Sequence, residues 1–65
     1  MSEHSAYEMA LRSLPEAHSL VLRLKDADET DESICTHLQI EPESLPTLLD
    51  VARRKLLSAL RNPPL

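Results

Sequence analysis

Residues 30–61 read TDESICTHLQIEPESLPTLLDVARRKLLSALR, and their pattern is the most informative in the chain about its architecture. Its apolar residues recur at helical spacing in two segments, which a short polar turn separates. Thr30 can cap the first segment, and the two acids that follow it suit the positive end of a helix dipole. The pattern therefore predicts a helix over residues 30–38 and a turn over residues 39–41.

The second segment predicts the longest helix, over residues 44–61. Pro42 could open this helix, but Pro46 would then remove an internal hydrogen bond at a cost of ~3 kcal/mol. A start between Ser44 and Pro46 is therefore preferred, with residues 41–44 as an irregular or single-turn lead-in. The apolar stripe of this helix consists of Leu45, Leu48, Leu49, Ala52, Leu56, Ala59 and Leu60.

The residues before Thr30 predict two further helices. Ser2 can cap the first, over residues 3–13, whose apolar face carries Tyr7, Ala10, Leu11 and Leu14. Pro15 suits the first turn of the second, over residues 15–25, whose stripe is Ala17, Leu20, Val21 and Leu24. With a tail at residues 62–65, the prediction is one all-α domain over residues 1–65, a small four-helix bundle containing a helix-turn-helix.

Composition excludes several classes of protein. The chain has 65 residues, no glycine and 2% aromatic residues, which is enough for one helical domain and too little for a barrel or a doubly wound sheet. Cys35 is the single cysteine, so no intrachain disulfide can form and a cytoplasmic location is expected. No apolar run approaches the ~20 residues of a membrane span, so no membrane contact is expected.

Charge is unevenly distributed along the chain. Residues 26–50 hold eight acids and no lysine or arginine, although the net charge of the whole chain is only −4. Only the last part of the chain could therefore supply phosphate contacts, through Arg53, Arg54, Lys55 and Arg61. A second interpretation is that these cations balance the helix dipole and that Asp50 pairs with Arg54 one turn later.

No catalytic residue, metal site or cofactor is predicted. Cys35 and His37 lie two residues apart on a helix, so their side chains point to different faces, which is poor geometry for a metal. Cys35 is interpreted as a small buried residue. A chain this short offers no enclosed pocket, so an enzyme is not expected.

Two stretches carry a resemblance to a known family: ALRSLPEAHSLVLRL at residues 10–24 and ESICTHLQIEPESLPTLLDVARRKLLSAL at residues 32–60. Together they resemble region four of bacterial sigma factors, and most closely the extracytoplasmic-function group. The resemblance implies a four-helix domain that reads the −35 promoter element and touches the flap of RNA polymerase. The matching residues are Ala10, Leu11, Leu14, Pro15, Val21, Leu22, Leu24, Ile34, Leu38, Ile40, Pro42, Leu45, Leu49, Ala52, Arg53, Leu56 and Leu60.

The chain departs from the family pattern where DNA would be read. Glu41 stands where family members usually have a serine or threonine cap. Gln39 stands at the usual glycine of the turn, so it must adopt a left-handed conformation or form a different turn. Where the family often carries lysine or arginine toward the groove, this chain has Glu43, Ser44, Pro46, Thr47 and Asp50.

Three functional hypotheses follow. The first is a sigma-region-four-like module in transcription regulation that acts mainly through protein contacts with RNA polymerase, an anti-sigma factor or a similar partner, through Thr47, Val51 and Leu57. The second is direct promoter reading, with bases and phosphates contacted by Ser44, Thr47, Arg53, Arg54, Lys55 and Arg61. The third is a small helical adaptor that forms a homodimer.

Overall fold

The computed structural model of the protein describes residues 5–62, and all of its regular structure is helical. Within that range no strand occurs, and no helix is long and apolar enough to cross a membrane. The predicted all-α small bundle is therefore confirmed. The elements are α1 (Ala6–Ser13), α2 (Glu16–Asp26), α3 (Asp31–Leu38), a 3₁₀ turn (Pro42–Ser44) and α4 (Leu45–Arg61).

All four helices contribute to one core, and α4 is its central element. Both α1 and α2 pack on α4, whereas α3 packs on α2 and on the 3₁₀ turn. In the described part of the chain, the residues with no exposed surface are Val21, Ile34 and Ala52. Among residues 5–62, the buried residues are Ala10, Leu11, Val21, Leu22, Ile34, Cys35, Leu45, Leu49, Ala52 and Leu56.

The first three helices begin at residues that can cap a helix or fix its first turn. The Thr30 hydroxyl accepts from the Ser33 amide at 3.1 Å, as predicted. Helix α1 begins at Ala6, later than predicted, because Ser5 is its cap and accepts from the Glu8 amide at 3.2 Å. A serine followed by glutamate three residues later is itself typical of a helix start. The predicted cap Ser2 lies outside the described residues.

Prolines set the remaining helix boundaries. Pro15 has extended backbone angles and precedes α2 instead of being its first helical residue. Pro42 begins the 3₁₀ turn, and α4 begins at Leu45, inside the predicted interval. Pro46 then falls in the first turn of α4, where no internal partner for its nitrogen is required. The two prolines are compatible because two separate helical segments follow each other.

Three residues of the predicted apolar faces are placed differently. Ala17, in the first turn of α2, is exposed. Leu22, which lay outside the predicted stripe, is buried, because α2 packs against both α3 and α4 and so buries a wider face than one stripe. Leu60 is 37% exposed, since it lies in the last turn of α4. Tyr7 is 38% exposed. Its hydroxyl donates to the Asp26 carboxylate, which raises the pKa of the phenol and joins α1 to the end of α2.

An ion-pair cluster also joins α1 to α2. Arg23 donates from both terminal nitrogens to Glu8, at 3.1 and 3.0 Å, and Arg12 donates to the same carboxylate at 3.0 Å. The hydrogen bonds from Arg23 and then Arg12 hold the pKa of Glu8 below its ordinary 4.5. The contribution of Glu8 to stability is therefore complete above its ordinary pKa and is lost as the pH falls through the lowered value.

The turn after α3 adopts the left-handed alternative. Gln39 has φ 58° and ψ 47°, and its amide donates to the Cys35 and Thr36 carbonyls. The Ile40 amide also donates to the Cys35 carbonyl, at 3.0 Å. These bonds satisfy carbonyls at the end of α3, which are otherwise left without partners. The glutamine side chain makes this conformation cost about 1–2 kcal/mol.

Replacing Gln39 with glycine is expected to raise the free energy of unfolding by about 0.5–1 kcal/mol. Glycine removes the steric cost of the positive φ, and its greater freedom in the unfolded chain offsets part of that gain. Urea denaturation followed by circular dichroism measures the change. Thr36→Gly, inside α3, is the control and should lower stability. A loss of stability in both variants would contradict the left-handed turn.

Candidate protein-interaction surface

A shallow recess forms where the start of α4 meets α2. Its volume is about 450 Å³. The structure thus brings together three residues that were predicted from the sequence, Ser44, Thr47 and Val51. The lining residues are His18, Glu43, Ser44, Thr47, Leu48 and Val51.

His18 also lines this recess, although it was not among the predicted site residues. It lies on α2, and its Nδ1 atom is buried without a hydrogen-bond partner among residues 5–62. No local pattern marks this histidine, because its proximity to Thr47 and Val51 depends on how α2 packs on α4. The recess therefore combines two apolar side chains, Leu48 and Val51, with polar ones.

Leu57, the third residue predicted to bind a partner, does not share this recess. Leu57 lies six positions after Val51. At 3.6 residues per turn, the two side chains are therefore about 120° apart around α4. Val51 is half-buried beside α2, whereas Leu57 is 58% exposed. The predicted partner-binding residues therefore belong to two separate surfaces.

The run of three cations on α4 does not form one patch either. Successive residues of a helix point about 100° apart. Arg54 forms the predicted pair with Asp50, at 2.6 Å. Arg53 lies on the side of α4 that faces α3, and Lys55 does not line that side. Within residues 5–62 no acid pairs with Arg53, Lys55 or Arg61. Arg53, Arg54 and Arg61 lie within about 100° of one another around α4, whereas Lys55 lies about 160° from Arg53, so the four predicted phosphate-binding side chains do not share one face.

An open cleft of about 890 Å³ separates α3 from α4. Its apolar wall includes Cys35, which is 6% exposed, and Leu49, which is 8% exposed. The remaining lining residues are Lys25, Asp31, Glu32, Thr36, Gln39, Ile40, Pro42, Leu45, Pro46, Asp50 and Arg53.

Apolar and charged side chains both line this cleft. His37 is exposed while Cys35 is buried, so these two side chains have different environments. In the described part of the chain, no three histidine, cysteine or acidic side chains come together as a metal site would require. The charged rim includes the ion pair of Lys25 and Asp31, at 3.1 Å.

All eight acids of residues 26–50 are exposed. Two of them are paired with cations in the described structure, Asp31 with Lys25 and Asp50 with Arg54. Of the other six, Glu41 and Glu43 lie just before α4, and the remaining four lie between the last residue of α2 and the first turn of α3. Glu43 lies directly beside Ser44, the first of the residues predicted to contact DNA bases.

Comparisons with known proteins give no further assignment. No family model, no curated protein and no solved structure matches this chain. The resemblance to sigma region four therefore rests on the residues of its two stretches.

Proposed function

We propose that this protein is a helix-turn-helix module similar to region four of bacterial sigma factors, acting in transcription regulation mainly through protein contacts. The partner is RNA polymerase, an anti-sigma factor or a protein with a similar surface. Helix α3, the tight turn at Gln39 and the longer α4 follow each other in the order that such a unit requires, which supports the proposal.

The exposed acids of residues 26–50 carry the preference for a protein partner over DNA. A helix-turn-helix inserts the start of its second helix into the major groove, and here Ser44 and Thr47 would occupy that position. Their hydroxyls can recognise bases at about 1–3 kcal/mol per good pair. Glu43, which forms no ion pair within residues 5–62, lies beside them and repels the phosphates that would have to hold the complex in register.

The recess beside Thr47 and Val51 supports the protein contact. An apolar centre with a polar rim is the usual composition of a protein interface. Leu48 and Val51 supply the apolar part, and His18 and Thr47 supply polar atoms. A partner side chain that enters this recess would cover Val51, which α2 leaves only half-buried.

Binding to purified bacterial core RNA polymerase, and separately to an anti-sigma factor, tests this proposal by biolayer interferometry. Thr47→Arg and Val51→Asp are each expected to weaken binding by about tenfold or more, as for residues central to an interface. Ala17→Asp is the control, because Ala17 is an exposed apolar residue of α2 outside the recess.

Unchanged binding by both recess variants would contradict the assignment of the surface. Absence of binding to either partner at ~100 µM, a concentration at which even weak contacts register, would contradict the function. Circular dichroism of each variant establishes that the helices are intact before affinities are compared.

Direct promoter reading is the second candidate, because Arg53, Lys55 and Arg61 are exposed and form no ion pair within residues 5–62.

A homodimeric adaptor is the third, and sedimentation equilibrium of the protein alone tests it. A stable dimer with no affinity for polymerase, anti-sigma factor or DNA would favour the adaptor.

A further inference from the structure

The C-terminal half of α4 presents a second exposed surface, separate from the recess at Thr47 and Val51. Leu57 is 58% exposed and Leu60 is 37% exposed. Arg53 precedes Leu57 by one helical turn, Arg61 follows it by one turn, and Arg54 lies three residues before it, so all of them share one side of the helix. We define the Leu57 face as Arg53, Arg54, Leu57, Leu60 and Arg61.

The charge of the Leu57 face is largely uncompensated. Arg54 pairs with Asp50, and no acid follows Asp50 in the sequence. Arg53 and Arg61 have no ion-pair partner in the described part of the chain. Within residues 5–62, Leu57 is thus a large exposed apolar side chain with an unpaired arginine one helical turn before it and another one turn after it. A partner that covers it must supply both apolar contact and negative charge.

We propose that the Leu57 face binds an acidic amphipathic helix of another protein. Apolar side chains of that helix would pack on Leu57 and Leu60, while its carboxylates would accept hydrogen bonds from Arg53 and Arg61. Arginine suits this role because its planar guanidinium can bind a carboxylate through two parallel hydrogen bonds. An apolar stripe on a helix is a common way to cover such a surface.

A second copy of the chain fits this face poorly. A two-fold dimer centred on Leu57 would place the arginines of one protomer against the same arginines of its partner. The acidic stretch DADETDE at residues 26–32 has the right charge, but its single apolar residue is Ala27. That stretch would neutralise the arginines of another copy and leave Leu57 uncovered.

Nucleic acid also fits this face less well than an acidic helix does. Phosphates would satisfy the arginines but would give no apolar contact to Leu57 and Leu60. The eight exposed acids of residues 26–50 would repel the same phosphates. The same acids repel an acidic helix, but that helix is short. Burial of its apolar side chains against Leu57 and Leu60 compensates for the repulsion.

The direct test uses two labelled amphipathic peptides of about 20 residues, long enough to form helices. Both carry one leucine stripe, which glutamates flank in the first peptide and lysines flank in the second. Fluorescence anisotropy with the full chain is expected to give micromolar binding of the glutamate peptide. The lysine peptide should bind at least about tenfold more weakly, because like charges would face each other.

Variants of α4 show whether binding occurs at the Leu57 face. Leu57→Ser and Arg53→Glu should each weaken the glutamate peptide by about fivefold or more. Lys55→Glu is the matched control, because it makes the same change of charge on the same helix but lies about 160° away from Arg53. It should retain binding to within about a factor of two, as expected for a residue outside the contact.

Several results would overturn the proposal. Equal weakening by Arg53→Glu and Lys55→Glu would indicate an undirected effect of charge. A duplex DNA that binds more tightly than the glutamate peptide, and competes with it, would assign the face to nucleic acid. A dimer in sedimentation velocity that Leu57→Ser dissociates would assign it to a second copy. None of these measurements involves polymerase, Thr47 or Val51, so failure here is distinguishable from failure of the proposed function.

Discussion

Replacing Ile34 with alanine is expected to lower the free energy of unfolding by about 2–5 kcal/mol, the usual range for truncating a buried isoleucine. Ile34 has no exposed surface and is the largest fully enclosed side chain of α3. Domains have a total stability of about 0.05–0.15 kcal/mol per residue. For a chain of 65 residues, the expected loss is therefore comparable with the total free energy of unfolding, and much of the variant protein should be unfolded.

Urea denaturation followed by far-ultraviolet circular dichroism measures this effect, since the chain has no tryptophan. Ile34→Val keeps the variant folded and should cost about 0.5–1.5 kcal/mol. Leu57→Ala is the control on the surface and should change stability by less than about 0.5 kcal/mol. If Ile34→Ala matched Leu57→Ala, α3 would not be anchored in the core as described.

The fold was largely predictable because its determinants are local. Thr30 and Pro46 mark helix starts through their own backbone chemistry, and the leucine periodicity of α4 marks its buried side. The predictions were wrong where packing between helices determines which side chains are buried. Whether α2 buries Leu22 in addition to its predicted stripe depends on its having two neighbours, α3 and α4, and periodicity along one helix contains no such information.

The candidate surface was predictable only in part. The separation of Leu57 from Val51, and of Arg53 from Lys55, follows from helical rotation alone, so the sequence already contained that signal. The recess did not follow from the sequence, because His18 approaches Thr47 only through the packing of α2 on α4. The sequence likewise offered two conformations for Gln39, and the structure has the left-handed one.

Changing Glu41 and Glu43 together to lysine is expected to create duplex binding that the unaltered protein lacks. Unaltered protein should show no anisotropy change with a mixed-sequence duplex at ~100 µM and low salt, weaker than ordinary non-specific binding. Both glutamates are exposed just before α4, and neither forms an ion pair within residues 5–62. The double variant should reach ordinary non-specific dissociation constants of about 10⁻⁴–10⁻⁶ M.

The position of the added charge distinguishes DNA binding through the helix-turn-helix from general electrostatic attraction. Glu16→Lys combined with Asp28→Lys adds the same charge at two exposed residues that form no ion pair in the described structure. If α4 enters the groove, only the variant with lysines at positions 41 and 43 gains affinity for DNA. The logarithm of its binding constant should then fall with the logarithm of the salt concentration at a slope near −2, about 0.9 for each of two phosphates. Equal gains in both variants would remove the support for a helix-turn-helix contact. Tight, salt-sensitive binding by the unaltered chain would instead favour direct promoter reading, because the cations of α4 would then outweigh the acids before it.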